Sequence, residues 1–456
     1  MFITKRYELW NISNINRFMT SKSSIKNLLN LSIPIFFANL AIPLVGIVDT
    51  GLMGNLDDPS FLTATSISTS LFSMIFWSFG FLRMGTVGMI AQSYGSKNYN
   101  EVLNLFIRNI FFVIIISISL ILLQKYILNI SLKIFELSND TQRHYEDYFK
   151  IRIYSSFGEL TIYIITGLFI GLQKTKISSL VVGFFSISNI ILSLFFVLFL
   201  DLNVRGVALG TLISSSLTLF IFLIYTFYAL SKITTLNLNL NQILNFIEIK
   251  KVFHINFNIF IRTILITFSF LLFTYLGNKI SEDVVAANAI LINLIFLSAF
   301  ILDAYAFSTE GIVGYSIGSK NIKLLKDVIK NSFILSTFTG LFISIIYLMT
   351  KDNFISLMTD IPSVKNISLS FSYWLVIMPF ISSFCYQFDG IFIGASQVKE
   401  LRNAMIISVL IFIVSSFFLI KSFDNLGLWI SLSLFMIVRA LTLFAYLGRI
   451  YQKIIN

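Results

Sequence analysis

Five carboxylates stand within or at the edges of the apolar stretches of this chain: Asp49, Glu159, Asp303, Glu310 and Asp389. A charge in hydrocarbon is expensive unless it faces protein or water, so intramembrane acids point to proton or ion pathways. Asp49 is the strongest case. It lies near the end of the run Leu31–Gly54 (LSIPIFFANLAIPLVGIVDTGLMG), after Pro34, Asn39, Pro43 and Gly46. The prolines free backbone carbonyls, and together with Gly46 they predict a bend. A carboxylate beside bent backbone can switch between two forms. Burial favours the protonated one, while water or a cation such as a transient Na+ favours the charged one. That chemistry couples ion flux to helix shape and favours transport over passive anchoring.

The other acids carry weaker signals. Asp303 and Glu310 are two helical turns apart and share a face, with Glu310 just past the expected span end and so more exposed. Asp389 sits in YQFDGIFIGA, where Gly390 and Gly394 permit close helix packing, and for it a packed structural role competes with transport. Glu159 follows Gly158 at the start of an apolar helix. Arg83, Arg262 and Arg439 fall near span ends, where long side chains can snorkel to headgroups. Asn39, Asn189, Ser193, Thr211, Asn288 and Asn293 could line a cleft or coordinate a monovalent cation, although each alone is more commonly a helix–helix hydrogen bond. Other chemistry is missing from the sequence. It has no phosphate-binding loop and no nucleophile elbow. His144 and His254 are far apart, and Cys385 is the single cysteine, so no metal cluster is expected. The expected protein is not an enzyme and needs no cofactor beyond a coupling H+ or Na+.

These side chains have to be positioned by membrane helices. Of 456 residues 56% are hydrophobic and only 12% charged, too few to coat a soluble protein of this size. The apolar residues come in runs of about 20 or more, the length a bilayer core demands, and without period-two alternation. The sequence predicts an all-α polytopic membrane protein with twelve spans: 28–53, 61–85, 104–125, 149–171, 178–200, 206–229, 253–276, 284–307, 329–349, 369–393, 403–420 and 426–447. Two linkers are longer, around 126–148 and 230–252. The first 26 residues are polar and basic and do not read as a cleavable signal. The net charge of +11 reflects topology and not nucleic-acid binding. Lys5, Arg6, Arg17, Lys22, Lys26, Lys97, Lys174, Lys176, Lys232, Lys250, Lys251, Lys320, Lys323, Lys326, Lys399, Arg402, Arg449 and Lys453 fall on one side, which places both termini in the cytoplasm.

The chain also repeats itself. Thr86–Asn98 (TVGMIAQSYGSKN) returns 223 residues later as Thr309–Asn321 (TEGIVGYSIGSKN). The same offset relates Phe169–Ile170–Gly171 to Phe392–Ile393–Gly394 and Lys176 to Lys399; a nearly equal one relates Gly206 to Gly427. The expected organisation is a cytoplasmic segment 1–27, a six-helix lobe 28–229, a cytoplasmic linker 230–252, a second six-helix lobe 253–447 and a tail 448–456. Six is even, so the two pseudo-symmetric bundles would be related by an axis along the membrane normal, with a cleft between them.

IPLVGIVDTGLMG (42–54), FLRMGTVGMIAQSYGSKN (81–98), the segments from AANAILINL to STEGIVGYSIG (286–318) and FDGIFIGASQVKELRNAM (388–405) resemble the multidrug and toxic compound extrusion (MATE) family, in its DinF-like branch. The resemblance runs over nearly the whole chain. It implies a two-lobed exporter in the cell (inner) membrane. Such a protein exchanges small organic cations or amphipathic compounds for protons or sodium ions and functions as a monomer. It also implies that Asp49 is the coupling acid, assisted by Asn189 and Thr211. Ser193 stands where many relatives carry a second Asp, and a hydroxyl cannot take up a proton at neutral pH. Asp303, Glu310, Asp389 and Gly390 match residues of the branch in helices eight and ten. Two other readings compete: a lipid-precursor flippase, which a basic cleft built on groups such as Arg262 would favour, and a membrane scaffold without transport.

Overall fold

A computed structural model describes residues 24–236 and 239–455, and every regular element among them is helical. The helices are α1 (Ser24–Gly54), α2 (Pro59–Ser78), α3 (Phe81–Gly95), α4 (Tyr99–Leu122), α5 (Gln124–Phe135), α6 (Asn139–Arg152), α7 (Ser156–Gly171), α8 (Thr175–Leu198) and α9 (Asn203–Ser231). They continue with α10 (Leu240–Ile243), α11 (Phe246–Ile280), α12 (Glu282–Gly318), α13 (Ile322–Met358), α14 (Pro362–Ser370), α15 (Tyr373–Gly394) and α16 (Val398–Ile455). Their starts follow capping chemistry. Asp58, Asn98, Ser281 and Asn321 each accept a backbone N–H of the helix they precede, and Pro59 and Pro362 occupy first-turn positions. Residues 1–23 of the expected N-terminal segment, including Lys5, Arg6, Arg17 and Lys22, lie outside the described residues.

The backbone repeats with the sequence. Non-glycine residues with positive φ occur in three pairs, each 223 apart: Lys97 and Lys320 (61° and 54°), Gln173 and Ser396 (59° and 52°), Asp201 and Asp424 (52° and 45°). At the first pair the helix closes in the same way. Asn98 N–H donates to Ser93 O and Asn321 N–H to Ser316 O, both at 2.9 Å. At the second pair Lys174 N–H reaches Phe169 O and Gln397 N–H reaches Phe392 O. These are six-to-one closures that satisfy the last helix carbonyls.

The chain divides into two units. The N-terminal unit holds Phe37–Tyr94 and Asn98–Asn256; the C-terminal unit holds Phe257–Asn456 with the segments up to Phe36 and Gly95–Lys97. Each has a buried central helix with two glycines four residues apart. In α7, Gly167 and Gly171 admit the backbone and side chains of α3 at Arg83, Thr86, Val87 and Ile90. In α15, the counterparts Gly390 and Gly394 lie against the α12 backbone at Ala306 and Glu310. A Cβ at these positions would collide with backbone, so the spacing sets how closely the helices cross.

Several expectations need correction. The expected linker 126–148 is largely helical: α5 and α6 occupy it. α5 exposes Tyr126, Ile130 and Ile134 along one face and buries only Ser131, to which Tyr145 donates at 2.7 Å. Such a helix is too short to span a bilayer, which is why the run-length criterion misses it. The second span reaches Gly95 after a turn at Phe79–Gly80. Among the described residues eleven helical segments are long and apolar enough to cross a membrane, not twelve. Expected spans eleven and twelve are joined in α16, whose backbone leaves helical geometry at Asp424.

Candidate functional site

In the N-terminal unit α8 and α9 cross at close range because Gly206 and Gly210 face α8. A Cβ on Gly210 would lie 2.8 Å from the Ser193 backbone nitrogen. This crossing buries a polar row. Ser193 Oγ donates to Asn189 Oδ1 at 3.5 Å, Asn189 Nδ2 donates to Thr211 Oγ1 at 2.9 Å, and Thr211 Oγ1 donates to Val207 O at 3.2 Å. Asp49 meets the row at Ser193, which is within hydrogen-bonding reach of its carboxylate. Asp49 is 4% exposed, and its Oδ1 is buried without a hydrogen-bond partner. The structure thus brings together the four residues singled out for ion coupling: Asp49, Asn189, Ser193 and Thr211. One carboxylate, two hydroxyls and an amide carbonyl form an oxygen donor set. It suits a proton on the acid or a hard monovalent cation. A groove of about 410 Å³, lined by Val48, Gly51, Leu52, Asn55, Leu194 and Leu198, flanks α1 and α8 next to Asp49.

The setting of α1 is uneven. Leu28, Ser32, Ile35, Ala38 and Asn39 are buried before its middle, and Asp49 and Met53 after it. No residue in 40–48 is buried. Pro43 and Gly46 fall in this loosely packed stretch, and a Cβ on Gly46 would meet nothing within 4 Å. Pro34 is half-buried before it, and helical hydrogen bonding continues past both prolines.

Next to Asp49 is a group that the sequence reading did not single out. Arg152, the last residue of α6, is close enough to act on Asp49 electrostatically. A single 3₁₀ turn, Ile153–Ser155, joins it to α7. Its guanidinium grips both carboxylate oxygens of Glu159, with Nη2 at 3.1 Å from Oε2, and also reaches Ser155 Oγ. Ser155 Oγ itself donates to Glu159 Oε1 at 2.7 Å. The guanidinium lies over the rings of Phe72 and Phe76, 5.3 and 5.1 Å from their centroids. The available signal was the seven-residue interval between a basic and an acidic residue. It passes unnoticed when 126–148 is taken for a loop.

The C-terminal unit treats its acid differently. Asp389 Oδ2 accepts from both Arg262 of α11 and Arg439 of α16, and all three side chains are buried. These arginines do not snorkel: the acid holds them inside. Asp303 is half-buried and within electrostatic range of Arg262. Glu310 is 1% exposed, contrary to the expectation that it is the more exposed of the two, because α12 runs on to Gly318 and encloses it. Asn288 exchanges hydrogen bonds with Asn425 at 2.7 and 3.1 Å and accepts from Trp429 Nε1 at 2.9 Å. It clamps α12 to the residues just past the Asp424 break. Asn39 is buried in α1. Among the described residues no group of three or more His, Cys, Asp or Glu could hold a metal ion.

The MatE family model matches residues 34–195 and 259–418. The chain is 30% identical over 436 residues to the DNA damage-inducible protein F of Escherichia coli, covering 94% of each chain. It is 23% identical over 310 residues to the multidrug export protein MepA of Staphylococcus saprophyticus, covering 68% of each. Among solved structures, the Vibrio cholerae MATE transporter VcmN in its bent form aligns with a TM-score of 0.83 at 18% identity, covering 95% of this chain and 98% of that one. An outward-facing multidrug resistance MATE family transporter aligns with a TM-score of 0.86 at 17% identity, covering 94% and 96%. At these identities the structural matches show a shared fold.

Proposed function

The chain belongs to the MatE family, and we propose that it is a secondary active antiporter that exports cationic or amphipathic organic compounds as protons or sodium ions move inward. The observation that carries this reading is Asp49: a buried acid with an unpartnered oxygen, set among hydroxyl and amide oxygens, on a helix packed at both ends and loose between them. An ion or proton bound at Asp49 removes the need for the buried negative charge to be solvated. That changes how the far end of α1 packs against α8, and the loosely packed stretch around Pro43 and Gly46 absorbs the change. Substrate binding is weakened on the same stroke, and the carrier resets.

The fold reading that goes with this function has twelve spans in two pseudo-symmetric six-helix bundles, 28–229 and 253–447, joined by the linker 230–252. The break at Asp424 supports it. Its partner 223 residues earlier, Asp201, lies in the short connection between α8 and α9, so α16 counts as two crossings. Both termini, 1–27 and 448–456, are assigned to the cytoplasmic side of the inner membrane from the distribution of basic residues. The polar row of Asp49 and its neighbours lies within one chain, which favours function as a monomer. The flippase alternative calls for basic groups open to a phosphate, and Arg262 and Arg439 are both engaged by Asp389.

The test is transport by purified protein in liposomes, with sodium and pH gradients imposed separately and a panel of cationic dyes supplied inside. Gradient-driven dye movement is expected for the wild type and is lost in Asp49→Asn. Undiminished coupled transport by that variant would overturn the assignment.

A further inference from the structure

The proposed carrier uses Asp49, but the charge nearest to it, Arg152, has no part in binding an ion. A guanidinium is always protonated, and this one is held on two rings and a chelating carboxylate. Structural ion pairs at helix joints commonly serve only to fasten the joint. This pair differs because it is shared between two acids. Glu159 takes the hydrogen bonds, while Asp49 sits within the field of the same cation with an unsatisfied oxygen.

We propose that Arg152 and Glu159 are positioning residues that set the proton affinity of Asp49: Arg152 stabilises its charged form, and Glu159 limits how much of that positive charge Asp49 feels. This inference rests on Asp49 being the coupling acid. The surroundings leave few competing charges. From α6, Tyr148 and Arg152 act on Asp49; from α8, Ser193 contributes a neutral hydroxyl. Glu159 of α7 acts on Tyr148 and Arg152, and Arg83 of α3 acts on Tyr163 of α7 beside them. Opposite charges within a few ångströms change a carboxyl's proton affinity by about one to three pH units in either direction.

The pair therefore makes a signed prediction that a fastening role does not. The measurement is a pH titration, by infrared difference spectroscopy on the full protein in lipid, of the protonated-carboxyl band that Asp49→Asn removes. Arg152→Gln is expected to move the midpoint up, because the charged carboxylate loses its cation. Glu159→Gln is expected to move it down, because the cation is left to Asp49. Each shift is expected to be about one pH unit. The double variant should return towards the wild-type midpoint, and Arg152→Lys should stay near it. If Arg152→Gln does not fold, Glu159→Gln and Arg152→Lys still decide the sign. Shifts in the same direction, or no shift on Glu159→Gln, overturn the inference while leaving Asp49 as the carrier. A protonated-carboxyl band that survives Asp49→Asn unchanged overturns the carrier reading and this inference with it.

Discussion

Asp49 and Asp389 are both aspartates buried in apolar helices, one in each unit, and their surroundings make them opposites. Asp389 receives two guanidinium groups on one oxygen, from helices far apart in the chain. Asp49 has a hydroxyl in reach, a cation already engaged by Glu159, and one oxygen with no partner. A carboxylate held by two arginines has no reason to exchange its charge for a proton. One left half-satisfied has a reason to exchange, and the energy it lacks is available to drive a conformational change. The repeat sharpens the contrast. The residue before the first glycine of the buried central helix is Asp389 in one unit and Thr166 in the other, and the Thr166 hydroxyl is satisfied by Ile162 O of its own helix at 2.8 Å. The C-terminal unit has put a charge at a place where its counterpart needs none, and Arg262 and Arg439 are the consequence.

The largest effect expected from this comparison is a split between stability and coupling. Asp389→Asn leaves two buried guanidinium groups short of a counter-charge, which costs about 3–5 kcal/mol. A pronounced fall in the detergent melting temperature and in membrane yield is expected, with ion-coupled transport preserved per folded molecule. Asp49→Asn should do the reverse, abolishing coupling with a stability change of no more than about 1 kcal/mol. Equal destabilisation by the two changes would erase the distinction.

A second test removes the whole charged group of the C-terminal unit. Buried ion clusters replaced as a set by apolar residues often lose little or even gain stability, whereas single removals strand a charge. Arg262→Met, Asp389→Leu and Arg439→Met combined should therefore recover most of the melting temperature lost in Asp389→Asn alone. If the triple variant melts lower than the single one, the cluster contributes more than mutual neutralisation.

A third test addresses the α8–α9 crossing. Gly210→Ala places a Cβ against the Ser193 backbone. Relief requires a shift of α8, and overpacking of this kind costs about 1–3 kcal/mol. Because Ser193 carries the contact from Asn189 to Asp49, dye transport is expected to fall further than the melting temperature alone accounts for.

Much of this arrangement was legible in the sequence, and the parts that were not share a cause. Run length identifies the spans, and a fixed offset reveals the repeat. Asp49 stands out because a carboxylate so deep in an apolar run has no cheap alternative. Pairings across the fold are a different matter. Nothing in the local sequence says that Arg262 and Arg439 meet at Asp389, or that Asn288 serves Asn425 and Trp429 at a helix break. Arg152 was hidden for another reason. The polar, charged composition of α6 reads as a loop, yet Tyr145, Tyr148 and Phe149 are buried on one of its faces. The burial of Glu310 also depended on where a helix ends, which is the least secure element of any sequence reading.

The smallest expected effect concerns Gly46, and it separates two ways in which Asp49 could act on α1. A Cβ there meets nothing, so Gly46→Ala introduces no clash. In a helix interior the change stabilises by about 0.5–1 kcal/mol through lost freedom of the unfolded chain and better helix propensity. If Asp49 acted only by repacking against α8, the variant would transport as well as the wild type, since Gly46 touches nothing in that contact. If α1 has to flex between its two packed ends, the extra stiffness falls within the stretch that flexes. We expect the second outcome: dye exchange slowed by about threefold to fivefold, the counterpart of 0.6–1 kcal/mol on a barrier, with its dependence on the ion gradient unchanged. Gly183 of α8 provides the control, because a Cβ there also meets nothing and the helix is not asked to bend. Gly183→Ala should stabilise to a similar degree and leave the exchange rate alone. Equal slowing by the two substitutions would attribute the effect to general rigidity and remove Gly46 from the mechanism.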